Sequence, residues 1–311
     1  MKTEQYLGYL KRLTWLPLLM LGGCKMTLLD PKGQVGVDEK SLIITATLLM
    51  LIVVIPVIVM TLAFAWKYRA SNTKGTYKPN WAHSTPIELV VWLVPCAIVA
   101  VLGTITWTTT HELDPYRPLD SDVKPIVIQA VSLDWKWLFI YPEQGIATVN
   151  EIAFPTDTPV SFQITSQNAM NSFFIPQLGS QIYSMAGMQT KLHLIANHEG
   201  SFDGLSANFS GDGFSDMKFK AIATSQKGFD AWVSKVKAAP TQLDQNNYPQ
   251  LVKPSEKAPV QYFAAVSPTL YHSILMQYMH GPSTLLDGNQ AEAGMNSKQP
   301  MQMPMNASIK E

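Results

Sequence analysis

The apolar positions of this chain fall into two regimes. Before residue 110 they come as unbroken runs, and from about 124 to 224 they alternate with polar ones. Residues 41–66, SLIITATLLMLIVVIPVIVMTLAFAW, carry no charge over 26 positions, and residues 89–110, LVVWLVPCAIVAVLGTITWTTT, form a second uncharged run. A hydrocarbon core of about 30 Å needs roughly 20 apolar residues in a helix, so each run predicts a membrane-spanning helix. Pro56 lies inside the first run, where neighbouring helices and local adjustments can satisfy the carbonyl it frees. Cys96, inside the second, reads as a small apolar packing residue. In the alternating region, Val160, Phe162 and Ile164 interleave with Ser161, Gln163 and Thr165. Leu192 and Leu194 interleave with Lys191 and His193, and Met217 and Phe219 with Lys218 and Lys220. A period of two puts one face of a strand in a core and the other in water. Short strands punctuated by Pro, Gly, Asn and Asp predict a β-sandwich or barrel, with His193 on a solvated face.

A shorter apolar run, residues 13–21, follows Lys11 and Arg12 and precedes Gly22 and Gly23. It is too short to span, and its charged–apolar–small order is that of an export signal. Leu-Gly-Gly-Cys at 21–24 resembles a bacterial lipobox, in which the Cys thiol is acylated and becomes the mature N-terminus. Cys24 is therefore the candidate lipidation site. The loop at residues 67–86 contains Lys67, Arg69, Lys74 and Lys78 and no acid, which makes it cytoplasmic by the positive-inside rule. Both ends of the hairpin then face outward, and Trp66, Trp81 and Trp107 lie near the two interfaces.

After residue 225 the pattern turns helical. Phe229, Trp232, Val233 and Val236 share a stripe, and Ser267 before Pro268 reads as a helix start. From about 281 the chain is rich in Gly, Gln, Asn, Pro and Met without a period and reads as disordered. Its methionines, Met295, Met301, Met303 and Met305, are soft thioether donors, but a loose tail accounts for them as well. The whole chain has 311 residues, with 23 basic and 23 acidic side chains. That balance gives no basic excess for binding nucleic acid. The two cysteines are far apart, so there is neither a disulfide framework nor a Cys-x-x-Cys metal site.

Two segments carry more specific information. NSFFIPQLGSQIYSMAGM, residues 171–188, resembles the H-S-F-x-x-P-x-L-G segment of subunit II of haem–copper terminal oxidases. GSFDGLSANFSGDGFSDMKF, residues 200–219, resembles that family's G-x-F-x-G-x-C-x-E-x-C-G-x-x-H-x-x-M segment. DWKWLFIYPEQGIATVNEIAFP, residues 134–155, is similar to the ubiquinol-oxidase branch. The resemblance runs from about residue 24 to 285. It implies a two-helix transmembrane hairpin, then an all-β cupredoxin-like sandwich, then a short helical C-terminal extension. The layout becomes a lipoprotein signal at 1–23, an outer segment at 24–41 and a hairpin at 42–110 with a cytoplasmic loop at 67–86. A periplasmic domain at 111–224, an extension at 225–280 and a disordered tail at 281–311 complete it.

In the cytochrome c oxidase branch the second segment binds a dinuclear copper centre. The family's first His corresponds to Asn171 here, its two bridging Cys to Ser206 and Ser210, its carbonyl-donating Glu to Asn208 and its second His to Phe214. Met217 alone keeps the family's residue. A serine hydroxyl is too hard a ligand, and ionises at too high a pH, to replace a bridging thiolate, so the resemblance implies no copper in this chain. It implies instead a complex fed by quinol from within the membrane rather than by cytochrome c from outside. Haems and copper then reside in a catalytic subunit I, with further small membrane subunits as partners. Trp135 and Trp137, which match the family's aromatic pair beside the copper, become core or interface residues.

Glu88 has two compatible readings. With Thr85 as N-cap and Pro86 as first helical residue, it completes a capping box and complements the helix dipole. By resemblance, it stands at the mouth of a proton-uptake path on the cytoplasmic side. The leading function is a non-redox subunit II of a proton-pumping ubiquinol oxidase. A copper-bearing cytochrome c oxidase subunit conflicts with the ligand losses. A free-standing lipoprotein would need only its lipid anchor or one helix for tethering, not two.

Overall fold

The computed structural model describes residues 27–73, 75 and 79–278. Cys24, the export signal, Lys74, Lys78 and the Met-containing tail lie outside the described residues.

The two uncharged runs form helices α1 (Gln34–Lys67) and α2 (Thr85–Glu112). At 34 and 28 residues they rise about 51 and 42 Å, more than a bilayer core requires. Pro56 lies inside α1 and Pro95 inside α2, and neither ends its helix. Several threonines of the helices bond their own helix backbone. Thr61 donates to the Val57 carbonyl at 2.7 Å, and Thr110 to that of Thr106 at 2.7 Å.

Helix α1 begins seven residues before its uncharged run because its first turn is docked on the outer domain. The Lys32 N–H donates to the Gln177 carbonyl at 2.7 Å, and the Gly36 N–H to that of Leu178 at 3.1 Å. Gly33 is required at this contact, since a Cβ there would lie 2.3 Å from the Ile195 carbonyl oxygen. Helix α2 also starts earlier than its capping pattern predicts. Ser84 is the N-cap, Thr85 and Pro86 are the first two helical residues, and Glu88 is the fourth. Its carboxylate accepts from the Ser84 N–H at 3.1 Å, but Ser84 makes no side-chain cap bond, so only half of the capping box forms.

The outer domain is a sandwich of two sheets. Its strands are β1 (Ile126–Leu133), β2 (Lys136–Tyr141), β3 (Ile146–Val149), β4 (Glu151–Pro155), β5 (Val160–Ser166), β6 (Asn171–Phe174), β7 (Ile182–Ser184), β8 (Thr190–Leu194), β9 (Gly200–Ser206), β10 (Lys218–Thr224) and β11 (Gln261–Phe263). One sheet runs β11-β3-β2-β1-β5-β8 and the other β4-β10-β9-β6-β7. The β1–β5 and β4–β10 pairs are parallel, and the other strand pairs are antiparallel. The alternating residues face as predicted: Phe162, Ile164, Leu192, Leu194 and Phe219 are buried between the sheets. Met217 is buried with them, though it precedes β10 rather than lying in it. His193 is half-buried, not fully solvated.

Strand β2 breaks the alternation, being buried at all six positions. Trp137, Phe139 and Tyr141 point into the inter-sheet core. Leu138 and Ile140 join a second core on the outer face, with Leu243, Tyr248, Phe263, Leu270 and Ile274. That second core is the work of the C-terminal extension, which is not helical throughout. It contains α3 (Gln226–Lys237), α4 (Tyr248–Val252) and α5 (Leu270–Met276), and β11 lies between the last two and extends the sheet beside β3. Phe229, Trp232 and Val236 of α3 are buried as the stripe predicts. Helix α5 is capped at Thr269 rather than Ser267, so Pro268 sits ahead of the helix and not in its first turn.

Candidate functional site

The segment with copper-site spacing connects β9 to β10 and closes one end of the sandwich. The backbone draws three of the six positions together. Phe173 of β6 registers with Ser206 of β9, and the Ser206 N–H donates to the Met217 carbonyl at 3.1 Å. The side chains then complete the link, because the Ser206 hydroxyl donates to Asn171 Oδ1 at 2.8 Å. Asn171 Nδ2 in turn donates to the Ala169 carbonyl at 3.2 Å and to Ser132 Oγ at 3.4 Å. Ser132 lies 2.9 Å from Ser184 Oγ, and Ser184 donates to the Thr165 carbonyl at 2.7 Å. Ser132 and Thr165 belong to one sheet, and Asn171, Ser184 and Ser206 to the other. Buried polar groups therefore bridge the two sheets where the family's spacing would place metal. Each bond is modest, but every hydroxyl left alone here would carry a desolvation penalty.

The other three positions are occupied differently. Asn208 donates to the Met170 carbonyl at 3.1 Å. Phe214 packs edge-on against Phe209, ring centres 5.6 Å apart. The Ser210 carbonyl accepts from Trp135 Nε1 at 3.2 Å, while the Ser210 hydroxyl is buried without a partner among the described residues. Trp135 adopts a left-handed backbone, φ 65°, and its indole lies against the loop. A Cβ at Gly213 would come within 2.6 Å of that ring, so the glycine lets loop and indole touch. Trp137 is fully buried among Phe139, Phe173 and Phe219.

This donor set does not fit a dinuclear copper centre. Hydroxyls, carboxamides and a phenyl ring offer neither thiolate nor imidazole, and a lone thioether is a weak ligand by itself. Among the described residues, no group of three or more His, Cys, Asp or Glu is placed to hold a metal ion.

The extension supports the same region from behind. Lys136, almost fully buried, donates to the Lys253 carbonyl at 2.7 Å and to Ser255 Oγ at 2.6 Å. Burial pushes its pKa down, and Asp134 opposes the shift. Tyr248 donates to Gln167 Oε1 at 2.6 Å, and the Gln167 N–H donates to the Ser132 carbonyl at 2.9 Å. The hydrogen-bond chain thus continues from the Ser206 loop to the extension. Sequence reasoning missed Ser132, Thr165, Gln167 and Ser184 in this network, since nothing in the motif spacing marks them.

Glu88 is far along the chain from this loop, at the opposite end of α2 from the sandwich connection. Its carboxylate is half exposed and lies 3.6 Å from His83 Nδ1.

Comparisons with known proteins show the family. Residues 143–223 match the family described as the cytochrome c oxidase subunit II periplasmic domain, and residues 237–282 match the COX aromatic rich motif. The second match falls on the segment that builds the outer core with Tyr248, Phe263 and Tyr271. The cytochrome bo(3) ubiquinol oxidase subunit 2 of Pseudomonas aeruginosa is 75% identical over 271 residues, 87% of this chain and 82% of that one. The corresponding protein of Pseudomonas putida is 60% identical, over 89% of this chain and 88% of the other. The ubiquinol oxidase subunit 2 of Acetobacter aceti is 56% identical, over 85% and 86%. Two membrane-length apolar helices followed by a periplasmic-type cupredoxin-like domain make this a membrane-anchored protein with a periplasmic domain. Identities of this size over both chains place the protein in the ubiquinol oxidase subunit 2 family.

Proposed function

We propose that this chain is the non-redox subunit II of a proton-pumping quinol oxidase, in a complex that oxidises ubiquinol and reduces oxygen to water. The observation that carries the reading is the Ser206–Asn171–Ser132 network, which fills the copper positions with hydrogen bonds in a close relative of ubiquinol oxidase subunits. A soluble cytochrome donor needs a relay in the outer domain. A quinol, dissolved in the membrane, does not. Haems and copper belong to the catalytic subunit I, which this chain supports together with further small membrane subunits. The hairpin crosses the inner membrane twice, with residues 67–86 in the cytoplasm and an acylated Cys24 outside. A tag on this chain checks the assignment, because a haem-containing membrane subunit should co-purify with it. Isolation of the tagged chain without haem would return the free-standing lipoprotein reading.

Glu88 supplies a proton-entry group at the cytoplasmic end of α2. Its exposure and its place beside His83 support that role, since an acid at a membrane boundary can collect protons from the aqueous side. Gln at 88 keeps an acceptor for the Ser84 N–H, so Glu88→Gln separates capping from proton transfer. The variant should assemble normally and turn over more slowly, with an altered pH profile. Unchanged turnover across pH would remove the proton role and leave the cap.

A further inference from the structure

The end of α1 remote from the sandwich leads into a stretch with four basic side chains and one acid. Residues 67–86 hold Lys67, Arg69, Lys74 and Lys78, and Glu88 is the one carboxylate between residues 40 and 112. Glu88 is already engaged, accepting from the Ser84 N–H at 3.1 Å and lying 3.6 Å from His83 Nδ1. Among the described residues, neither Lys67 nor Arg69 has an ion-pair partner. Arg69 is nevertheless held in place. Its Cζ lies 5.0 Å from the centre of the Trp66 ring, and its Nε donates to Ser71 Oγ at 2.9 Å. The two terminal nitrogens of the guanidinium make no hydrogen bond among the described residues. Lys67 lies over Tyr68, 5.6 Å from the ring centre. Trp66 and Tyr68 are exposed, at the end of an uncharged run, residues 41–66, that rises about 39 Å. That length puts both cation–aromatic pairs at the level of the lipid headgroups, past a hydrocarbon core of about 30 Å.

We propose that this end of the hairpin binds the phosphate of an anionic phospholipid of the phosphatidylglycerol class. The free nitrogens of Arg69 receive the phosphate oxygens, Lys67 adds charge beside them, and the Trp66 and Tyr68 rings border the glycerol. A guanidinium that is already stacked and tethered loses little freedom on closing two parallel bonds to a phosphate. The negative end of the helix does not repel the headgroup bare, because Asn72 Nδ2 donates to the Lys67 carbonyl. The charges select the lipid. A zwitterionic headgroup would bring an ammonium to a stretch with four cations, where the one acid is already engaged. An anionic headgroup brings no such group, and basic residues beside a spanning helix favour it. The inference rests on the spanning hairpin proposed above, and not on the quinol oxidase assignment.

The test uses the full chain, with whatever partners it retains, in phosphatidylcholine nanodiscs, whose two leaflets are alike, so that the direction of the hairpin does not enter. Two photoactivatable probes are compared at equal low abundance, a phosphatidylglycerol and a phosphatidylcholine, each with the reactive group beside the glycerol. Cross-links are mapped by mass spectrometry to peptides covering residues 62–73. The phosphatidylglycerol probe should label them several-fold more strongly. Arg69→Gln should lower that labelling about fivefold, which corresponds to about 1 kcal/mol for one basic residue at an anionic surface. Arg69→Lys should recover only part of it, because lysine keeps the charge and loses the fork. Equal labelling by the two probes would overturn the proposal, and that comparison needs no variant. So would unchanged labelling of Arg69→Gln, or full recovery in Arg69→Lys, which reduces the site to unspecific charge. Loss of labelling on adding inorganic phosphate would overturn it as well, since the site then reads a free phosphate, and so would absence of labelling, which means a protein segment covers the loop. A third probe, reactive at the end of its acyl chain, should label residues 48–58. Its failure would withdraw the spanning hairpin itself, whereas its success beside equal headgroup labelling sinks only the lipid site.

Discussion

The Asn171 carboxamide accepts from Ser206 and donates towards Ser132, so its removal strands the buried Ser206 hydroxyl, while Ser132 keeps its contact with Ser184. Leaving a buried polar group unsatisfied costs about 1–3 kcal/mol, and Asn171→Ala should lower the unfolding free energy by that order. Urea unfolding of the full chain in mild detergent, followed by tryptophan fluorescence, measures it. An unchanged midpoint would mean that water or backbone takes over the Ser206 hydroxyl. His193 gives a prediction in pH. Burial and the neighbouring Lys191 hold its pKa below the usual 6.5. The unfolded chain therefore takes up a proton that the folded chain refuses, and stability falls as pH drops through 6.5 towards the folded pKa. His193→Gln should flatten that acid-side slope in midpoints measured from pH 7.5 to 5.5, and an identical slope would place the titration elsewhere.

At the scale of elements, the C-terminal extension does more than trail from the sandwich. It covers the outer face of β2 and β3, and Ile274 at its far end is fully buried there. Ile274→Ala should cost about 2–5 kcal/mol, the range for deleting a buried aliphatic side chain, and should lower the melting point of the whole outer domain. A melting point within error of wild type would mean that the extension docks without bracing the sheet. This element was only partly legible in the sequence. The stripe of Phe229, Trp232 and Val236 announces α3, but the three residues of β11 are too few to show a period. The signal that was available lay elsewhere, in the unbroken apolar run Trp137–Leu138–Phe139–Ile140–Tyr141, because a strand buried on both faces needs a cover on each. The two long apolar helices were legible because hydrocarbon excludes charge, and the inter-sheet core because water excludes apolar side chains from the other face. The start of α1 was not, since Gln34–Lys40 is helical through contacts with residues 177–178, far away in sequence. The site divides in the same way. Motif spacing located Asn171, Ser206 and Met217, whereas Ser132, Gln167 and Ser184 joined them through tertiary contacts that no local pattern records.

On the scale of the whole molecule, the account separates anchoring from electron transfer. The helices hold the sandwich at the outer membrane face, docking at Gly33 and Gly36 fixes it to α1, and the extension stiffens the sheet that faces away from the inter-sheet core. The domain matches the oxidase subunit II periplasmic family, and a hydrogen bond joins Asn171 and Ser206 at two of the positions where that family's motif carries ligands. Its proposed part in the oxidase is to complete the assembly around a catalytic subunit that draws electrons from the membrane. The most direct measurement is oxygen uptake by the complex purified through a tag on this chain, supplied in turn with ubiquinol and with reduced cytochrome c. Uptake driven by ubiquinol and none by cytochrome c is the predicted result. Oxidation of cytochrome c by that complex, with two coppers bound to this chain, would contradict it and restore an electron relay to the Ser206 loop.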